Sequence, residues 1–251
     1  MAGHSKWSQI KRKKAVNDQR RGQIFTKIIK EISVAAREGG GDPEANPRLR
    51  LAIQMAKDAN MPQDNINRAI KRGTGELPGM QFEEIVYEGY GPGGVAILME
   101  SVTDNRNRTV AEIRHLLSKN NGRLGEAGSV AWMFTRKGAI RVPTSKIEED
   151  DLLHVAIESG ADDMQPTDDY YEITTTMENF EKVKQALADK NIPVDSAELQ
   201  MEPNSTVPVE GKDAEQVLKL IEVLDEHDDI QNVYANFEID DAVFEKLAQE
   251  S

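Results

Sequence analysis

The sequence lacks cysteine altogether, and it has few aromatic side chains and no long hydrophobic run. Its 251 residues include no Cys and only 5% aromatic residues. The absence of cysteine excludes a disulfide framework, a zinc site with thiolate ligands and a cysteine nucleophile. It also favours a reducing compartment, so we expect a cytoplasmic protein. No stretch approaches the ~18 consecutive apolar residues of a membrane-spanning helix, so we expect no membrane partner.

Motifs for nucleotide binding and catalysis are also lacking. There is no Walker sequence, no Gly-x-Ser-x-Gly elbow and no His-Glu-x-x-His motif. Gly89, Gly91 and Gly94 match the spacing of a dinucleotide fingerprint, but a predicted strand, Val95–Met99, follows them. The fingerprint needs a helix at that position to meet the pyrophosphate. We therefore interpret this glycine motif as a hairpin turn.

The acidic and histidine residues show no metal-ligand spacing. Acidic doublets such as Asp162-Asp163 and Asp228-Asp229 do not alternate as in a calcium loop. The four histidines are scattered: His4, His115, His154 and His227. An acidic-cleft hydrolase would need bound metal, and we favour solvated acidic faces instead. The sequence therefore predicts no catalytic residues, no metal, no cofactor and no small-molecule substrate.

What the chain does have is a strong asymmetry of charge. Its formal net charge is −13. Residues 1–80 carry sixteen Lys/Arg and eight Asp/Glu, a net charge of +8, whereas the remainder carries fifteen against thirty-six, a net charge of −21. A basic end on an acidic protein indicates an anionic partner for that end.

The first thirty residues concentrate this positive charge. The predicted nucleic-acid-binding residues are Lys6, Trp7, Lys11, Arg12, Lys13, Lys14, Arg20, Arg21, Lys27 and Lys30. Lysine and arginine side chains bind phosphates and release counterions, without reading the base sequence. Lys27 and Lys30, with Arg37, occupy the polar face of the first predicted helix and extend the patch. The ring of Trp7 either stacks on an unpaired base or, as we favour, packs on the helical domain.

A glycine-rich loop after residue 120 is a second candidate contact surface. Its predicted contact residues are Gly122, Arg123, Gly125, Glu126 and Ser129. Loops that carry function are frequently shaped by glycine and exposed on a rigid scaffold. A flexible turn between a helix and a strand is the alternative interpretation.

Hydrophobic periodicity predicts an α+β protein. Residues 1–79 are predicted to form a helical domain with helices at Gln23–Arg37, Pro47–Ala59 and from Pro62 to Gly73. Residues 137–206 alternate as βαββαβ, the order of a ferredoxin-like domain. Residues 80–136 plus 207–251 are predicted to form one discontinuous α/β sandwich into which that domain is inserted. Within it we expect a capping box at Thr109–Glu112 and a strand at Ser129–Thr135.

Four blocks of sequence resemble the YebC family. They are Gly3–Trp7, Met61–Ile66, Tyr87–Gly94 and Leu124–Phe134, and they occur in the family's order. The resemblance runs essentially from end to end and is weakest after residue 140. Because it begins at Ala2, we expect the basic start to belong to the mature protein and not to a transit peptide.

The resemblance implies three domains around a cleft, the first of them helical, with no cofactor and no catalytic residues. It also implies one of two roles. Members are described as DNA-binding transcriptional regulators, and relatives act in translation, one as a mitochondrial activator and others in relieving ribosomes stalled on proline-rich sequences. Both roles need an anionic partner, DNA or ribosomal RNA, so the basic arm does not choose between them.

The spacing of the first two predicted helices bears on that choice. A DNA regulator is expected to present a recognition helix after a tight turn. The connection from Gly39 to Asn46 is longer than such a turn. This favours recognition of ribosomal RNA, in which shape and phosphates dominate, over sequence-specific reading of DNA.

Overall fold

A computed structural model of the protein describes residues 18–167 and 169–240. The described residues form seven α-helices, two four-stranded antiparallel sheets and one two-stranded ladder. The predicted α+β class is confirmed. The described chain divides into two compact units, residues 18–132 with 205–240, and residues 133–204. None of its helices is long and apolar enough to cross a membrane.

Three helices open the first unit: α1 (Asp18–Gly39), α2 (Pro47–Asp58) and α3 (Gln63–Gly73). Helix α2 begins where Pro47 fits the first turn and Asn46 Oδ1 accepts a hydrogen bond from the Leu49 N–H at 3.1 Å. The three helices share one buried core with hydrophobic residues at helical spacing: Ile28, Ile32, Ala35, Ala36, Leu49, Ala52, Ala56, Ile66 and Ala69. The three predicted helices are thus present.

The same unit contains a sheet of four strands in the order β3-β1-β2-β9. Its strands are β1 (Glu83–Tyr90), β2 (Ala96–Thr103), β3 (Arg123–Leu124) and β9 (Ile230–Ala235). Helices α4 (Arg106–Lys119) and α7 (Gly211–Asp225) bury their apolar sides with one face of this sheet in a common core. A short parallel ladder joins β8 (Val207–Pro208) to β10 (Phe237–Glu238).

Strand β9 adds a segment from late in the chain to the edge of the sheet in the first unit. It pairs antiparallel with β2, with Leu98 opposite Tyr234 and Met99 opposite Val233. Residues 205–240 therefore complete a sheet that begins before residue 133. This pairing accords with the predicted discontinuous domain, whose boundaries at 80–136 and 207–251 stay a prediction.

The second unit folds as β4 (Phe134–Pro143), α5 (Glu149–Ser159), β5 (Asp163–Pro166), β6 (Tyr170–Thr176), α6 (Met177–Asp189) and β7 (Ser196–Pro203). The sheet order is β5-β6-β4-β7, and every neighbouring pair is antiparallel. The two central strands are thus the first and third of the unit, as in a ferredoxin-like fold. Both helices pack on one face of the sheet over Ile140, Val142 and Ile173.

Two local predictions are wrong. Helix α4 begins at Arg106 with Asn105 as its N-cap, because Asn105 Oδ1 accepts from the Arg108 N–H at 3.1 Å. Thr109 is buried one turn inside the helix and does not cap it. Residues 129–133 are not a strand: Ala131–Met133 is a short 3-10 turn, and β4 starts at Phe134.

Candidate nucleic-acid interface

The basic arm predicted from the sequence lies mostly outside the described residues. Lys6, Trp7 and the run Lys11–Lys14 precede residue 18. Arg20 and Arg21 fall in the first turns of α1, but their side chains lie outside the description. The contribution of the arm to binding therefore stays a prediction.

Lys27 and Lys30 require a correction, because they do not face solvent as the polar face of α1 predicted. Lys27 Nζ donates to the carbonyl oxygen of Asp225 at 2.6 Å. Lys30 is only 7% exposed, and its Nζ donates to the Asp228 carbonyl at 2.8 Å and forms an ion pair with Asp229. The segment between α7 and β9 covers this side of α1, so these ammonium groups are not free for phosphates.

Asp229 is the centre of a buried polar cluster. Besides Lys30, its carboxylate accepts hydrogen bonds from Arg108 Nη2 at 2.8 Å and from Thr109 Oγ1 at 2.6 Å. Burial opposes its ionisation, but the hydrogen bonds from Lys30, Thr109 and Arg108 outweigh burial and hold the pKa of Asp229 well below its usual range. The bond to Asp229 likewise raises the pKa of Arg108. The cluster joins α1 and α4 to the segment that leads into β9.

One group of side chains next to this cluster has the spacing of metal ligands. Glu112, His227 and Asp229 place ligand atoms within 4.8 Å of one another. His227 Nδ1 accepts from the Asp229 N–H at 3.0 Å, and its Nε2 lies 3.0 Å from Glu112 Oε2. Lys30 and Arg108 already place two positive charges on Asp229, which disfavours a divalent cation there. Hydrogen bonding within the cluster accounts for the three positions.

Exposed cations gather instead on α2 and α3, where sequence reasoning did not single them out. They are Arg50, Lys57, Arg68, Lys71 and Arg72. Within the described residues, none of the five forms an ion pair with a carboxylate. The signal in the sequence was the spacing of Arg68, Lys71 and Arg72, which share one side of a helix whose other side buries Ile66 and Ala69. Lys71 and Arg72 also complement the negative end of the helix dipole.

Helices α2 and α3 are joined by a short turn of four residues, 59–62. Asn60 adopts a left-handed conformation there, with φ of 57°. A turn of this length is usual in helix-turn-helix units, unlike the seven residues, 40–46, between α1 and α2. The exposed side of α3 also presents Gln63 and Asn67, whose side chains bond each other at 2.9 Å.

The glycine-rich loop after α4 is shaped by a residue that the sequence did not point to, Glu88 on β1. Its buried carboxylate accepts backbone hydrogen bonds from Gly128 and Val130 at 2.6 Å and from Ala131 at 2.8 Å. Burial would raise the pKa of Glu88, but these N–H donors outweigh it and lower the pKa. Gly128 has a φ of 84°, which favours glycine. The loop is therefore held in one shape rather than left as a plain connection.

Two aromatic rings flank this loop. Arg123 places its guanidinium 5.0 Å from the centroid of the Tyr90 ring. The Tyr90 hydroxyl and the Trp132 Nε1–H both donate to the carbonyl oxygen of Ser129, at 3.1 and 3.2 Å. The Trp132 side chain is nevertheless 69% exposed. Of the predicted contact residues, Arg123 and Glu126 are exposed, whereas Gly122, Gly125 and Ser129 are partly buried and give the loop its shape.

These observations define a mixed α+β protein whose small helical domain carries five exposed cations on α2 and α3. Comparison with known sequences gives the family: the chain belongs to the TACO1/YebC family. The sequence model of the TACO1/YebC protein N-terminal domain matches residues 5–76, and that of the TACO1/YebC second and third domain matches residues 82–237. The resemblance noted from the four sequence blocks is thus confirmed.

Close relatives extend over the whole chain. A protein of Natranaerobius thermophilus is 56% identical over 98% of this chain and 99% of its own length. One of Chlorobaculum parvum is 54% identical over the full length of both. Each is named a probable transcriptional regulatory protein. The crystal structure of a conserved hypothetical protein, Aq1575 from Aquifex aeolicus, is 50% identical with a TM-score of 0.82, covering 89% of this chain and 93% of that one.

Proposed function

We propose that this protein is a non-enzymatic regulator of gene expression that binds nucleic acid through its N-terminal helical domain. The observation that carries the proposal is the group of five exposed cations on α2 and α3, in a chain of net charge −13. The phosphates of nucleic acid are a favourable partner for these cations, because each contact releases condensed counterions. The names of the relatives as probable transcriptional regulatory proteins support the same role.

The acidic remainder of the chain supports a fixed orientation on the polyanion. Residues 81–251 carry a net charge of −21, which repels phosphates. The basic arm, residues 6–21, precedes α2 and α3 in the same domain and adds to the positive pole. The protein therefore approaches nucleic acid with the helical domain first.

Duplex DNA is the first candidate ligand. The four-residue turn between α2 and α3 suits a recognition helix, and α3 presents Gln63, Asn67 and Arg68 on its exposed side. Amide side chains pair with adenine and arginine with guanine in the major groove. Binding of this kind would support regulation of transcription.

Structured RNA of the ribosome is the second candidate. It is favoured by the long connection between α1 and α2 and by the exposed Trp132 in the loop that also carries Arg123. Proteins recognise RNA by its shape, by its phosphates and by stacking on unpaired bases. In this case the protein would act as a translation factor on rRNA or tRNA, with relief of stalling on proline-rich sequences as the expected readout.

The test is a titration of labelled duplex DNA and labelled structured RNA across a range of salt concentrations. Replacing Lys71 and Arg72 together by alanine should weaken binding and reduce the slope of log K against log salt by about 2. The matched control replaces Lys212 and Lys219, which are equally exposed on the acidic helix α7. If both double variants bind like the unmodified protein, α3 is not the contact.

A second measurement separates the two ligands in the cell. Sedimentation of lysate at low and moderate salt, followed by detection of the protein, shows whether it migrates with ribosomes. Loss of that migration on replacing Lys11, Arg12, Lys13 and Lys14 by alanine would support the translation role. Protein that stays in the soluble fraction and protects one promoter at physiological salt would rule that role out.

A further inference from the structure

We propose that residues 122–132 form a second nucleic-acid contact, separate from the helical domain, that takes unpaired nucleotides of an RNA stem-loop. The ring of Trp132 is the stacking platform, and Arg123 on Tyr90 is the adjacent cation. The inference rests on the proposed nucleic-acid binding but assigns it a different surface and a defined ligand.

The exposure of Trp132 is the first reason. Its indole is 69% exposed, although its Nε1–H is already bonded to the Ser129 carbonyl. The bond holds one edge of the ring, and most of the residue stays exposed to solvent. Tyr90 bonds the same carbonyl oxygen, so the two rings are anchored on one atom. A ring held in this manner loses little side-chain entropy when a base stacks on it.

The support beneath the platform is the second reason. Glu88 fixes the backbone on both sides of Ser129 through the N–H groups of Gly128, Val130 and Ala131. A loop that only connects two elements does not need a buried carboxylate with three backbone donors. Glu88 is thus a positioning residue: it touches no ligand but sets where Ser129, and through it Trp132, lies.

The local charge is the third reason. Residues 103–132 contain five of the fifteen Lys/Arg that follow residue 80 but only three of the thirty-six Asp/Glu. Arg114 and Lys119 are exposed on α4, and Arg123 follows on the edge strand β3. This segment is cationic within the acidic part of the protein. Phosphates are therefore attracted to this segment in preference to the more acidic remainder.

The size of the platform favours a stem-loop over other forms of nucleic acid. The bases of a duplex are stacked within the helix and offer no free face to Trp132. A long single strand is usually bound by a row of aromatic rings along a basic groove. One indole beside one Arg–Tyr pair suits one or two splayed bases, and the cations of α4 suit the phosphates of the adjoining paired stem.

The two tryptophans of the chain make a direct test possible. They are Trp7 and Trp132, so the full-length Trp7→Phe variant reports on Trp132 alone. Its fluorescence is titrated with an RNA stem-loop, the same stem closed into a blunt duplex, and the DNA stem-loop of equal sequence. We expect quenching by the RNA stem-loop and none by the duplex, because only the loop has open bases.

Affinity measurements on variants complete the test. Trp132→Leu should weaken binding of the RNA stem-loop about tenfold and leave duplex binding unchanged, while Trp132→Phe keeps most of the affinity because it also stacks. Glu88→Gln in the Trp7→Phe background should reduce the quenching without loss of fold by circular dichroism. Equal affinity of Trp132→Leu for the stem-loop would overturn the platform, and equal quenching by DNA would overturn the choice of RNA.

These outcomes are distinguishable from failure of the proposed function. The Lys71 and Arg72 variant lowers overall affinity but leaves quenching at saturating RNA, because Trp132 is on another surface. If that variant binds RNA normally while Trp132→Leu binds it weakly, the loop at residues 122–132 is a contact and α3 is not. If RNA binds without quenching Trp132 fluorescence, the loop is not a contact, and binding by the helical domain is unaffected by that result.

Discussion

Lys30 and Asp229 form a buried ion pair between residues 199 positions apart in the sequence. The side chains are 9% and 4% exposed, and Arg108 and Thr109 complete the bonding of the carboxylate. The pair attaches α1 of the helical domain to the segment that leads into β9. Together with Arg108 and Thr109, the pair thereby connects α1 and α4 with the segment of residues 205–240 in the first unit.

Replacing Lys30 by methionine should lower the free energy of unfolding by about 2–3 kcal/mol, because Asp229 stays buried with one cation instead of two. Urea denaturation measures the loss. The Lys30→Met, Asp229→Asn double variant should lose less than the sum of the single variants, since neither buried charge is left without its partner. Lys184→Met, which breaks the partly exposed pair with Glu181, is the control and should cost no more than about 0.5 kcal/mol. Additive single losses would contradict this interpretation.

The cluster also predicts how stability depends on pH. The pKa of Asp229 is lowered in the folded protein, so its stabilisation is present above the unfolded value of about 3.9 and is lost as the pH falls toward the folded value. We expect the Asp229→Asn variant to be clearly less stable than the unmodified protein at pH 6. The gap should narrow steadily at acid pH, where Asp229 becomes neutral in both states. Unfolding measured across that range checks the prediction. A difference in the free energy of unfolding that does not change with pH would show that Asp229 stabilises the fold by packing and not by its charge.

Arg48 predicts a loss of stability that depends on salt. Its guanidinium lies 2.7 Å from carboxylate oxygens of both Glu31 and Glu38 and pairs with Glu84 on β1, which lowers the pKa of Glu84. Arg48→Met removes the common cation from three carboxylates and should cost about 1 kcal/mol at low salt. High salt should reduce that cost because the site is partly exposed. Thermal denaturation at two salt concentrations measures it, and a cost that does not respond to salt would show that packing of the side chain dominates.

Gly138 on β4 predicts a steric effect in the second unit. A Cβ at this position would overlap with Phe180 Cδ2 and with Thr175 Oγ1. Gly138→Ala should therefore destabilise the protein by about 2 kcal/mol, as overpacking does. Gly22→Ala on α1 is the matched control: nothing lies within 4 Å of its Cβ, so it should be neutral or stabilise by up to about 1 kcal/mol. Equal midpoints of thermal unfolding for the two variants would contradict the prediction.

Much of the fold follows from local pattern. Pro47 and Gly73 mark helix ends in the sequence, and the alternation of residues 137–206 predicts the order of strands and helices in the second unit. These signals are local, since a helix or strand shows its period within a few turns. They predict which elements form and roughly where each begins.

The errors have a common physical cause, which is contact with a residue far away in the sequence. The local sequence predicts Thr109 as a helix cap, but its hydroxyl donates a hydrogen bond to Asp229, 120 positions later. The local sequence predicts a strand at residues 129–133, but the N–H groups of Val130 and Ala131 donate hydrogen bonds to Glu88, some 40 positions earlier. Lys30 is predicted on the surface because its ion-pair partner, Asp229, is also far away in the sequence. The sequence pattern of one segment does not show which distant residue will contact it.

The pairing of β2 with β9 has a consequence for synthesis. The Ala96 N–H bonds the Asn236 side chain, 140 residues later. At usual elongation rates that interval takes on the order of ten seconds. Throughout that interval the edge of β2 that later pairs with β9 is open, and the whole 133–204 unit is synthesised before β9 is available. Any nascent chain cut short before residue 229 therefore leaves this edge of β2 unpaired and lacks Asp229, so it has neither strand β9 nor the ion-pair partner of Lys30.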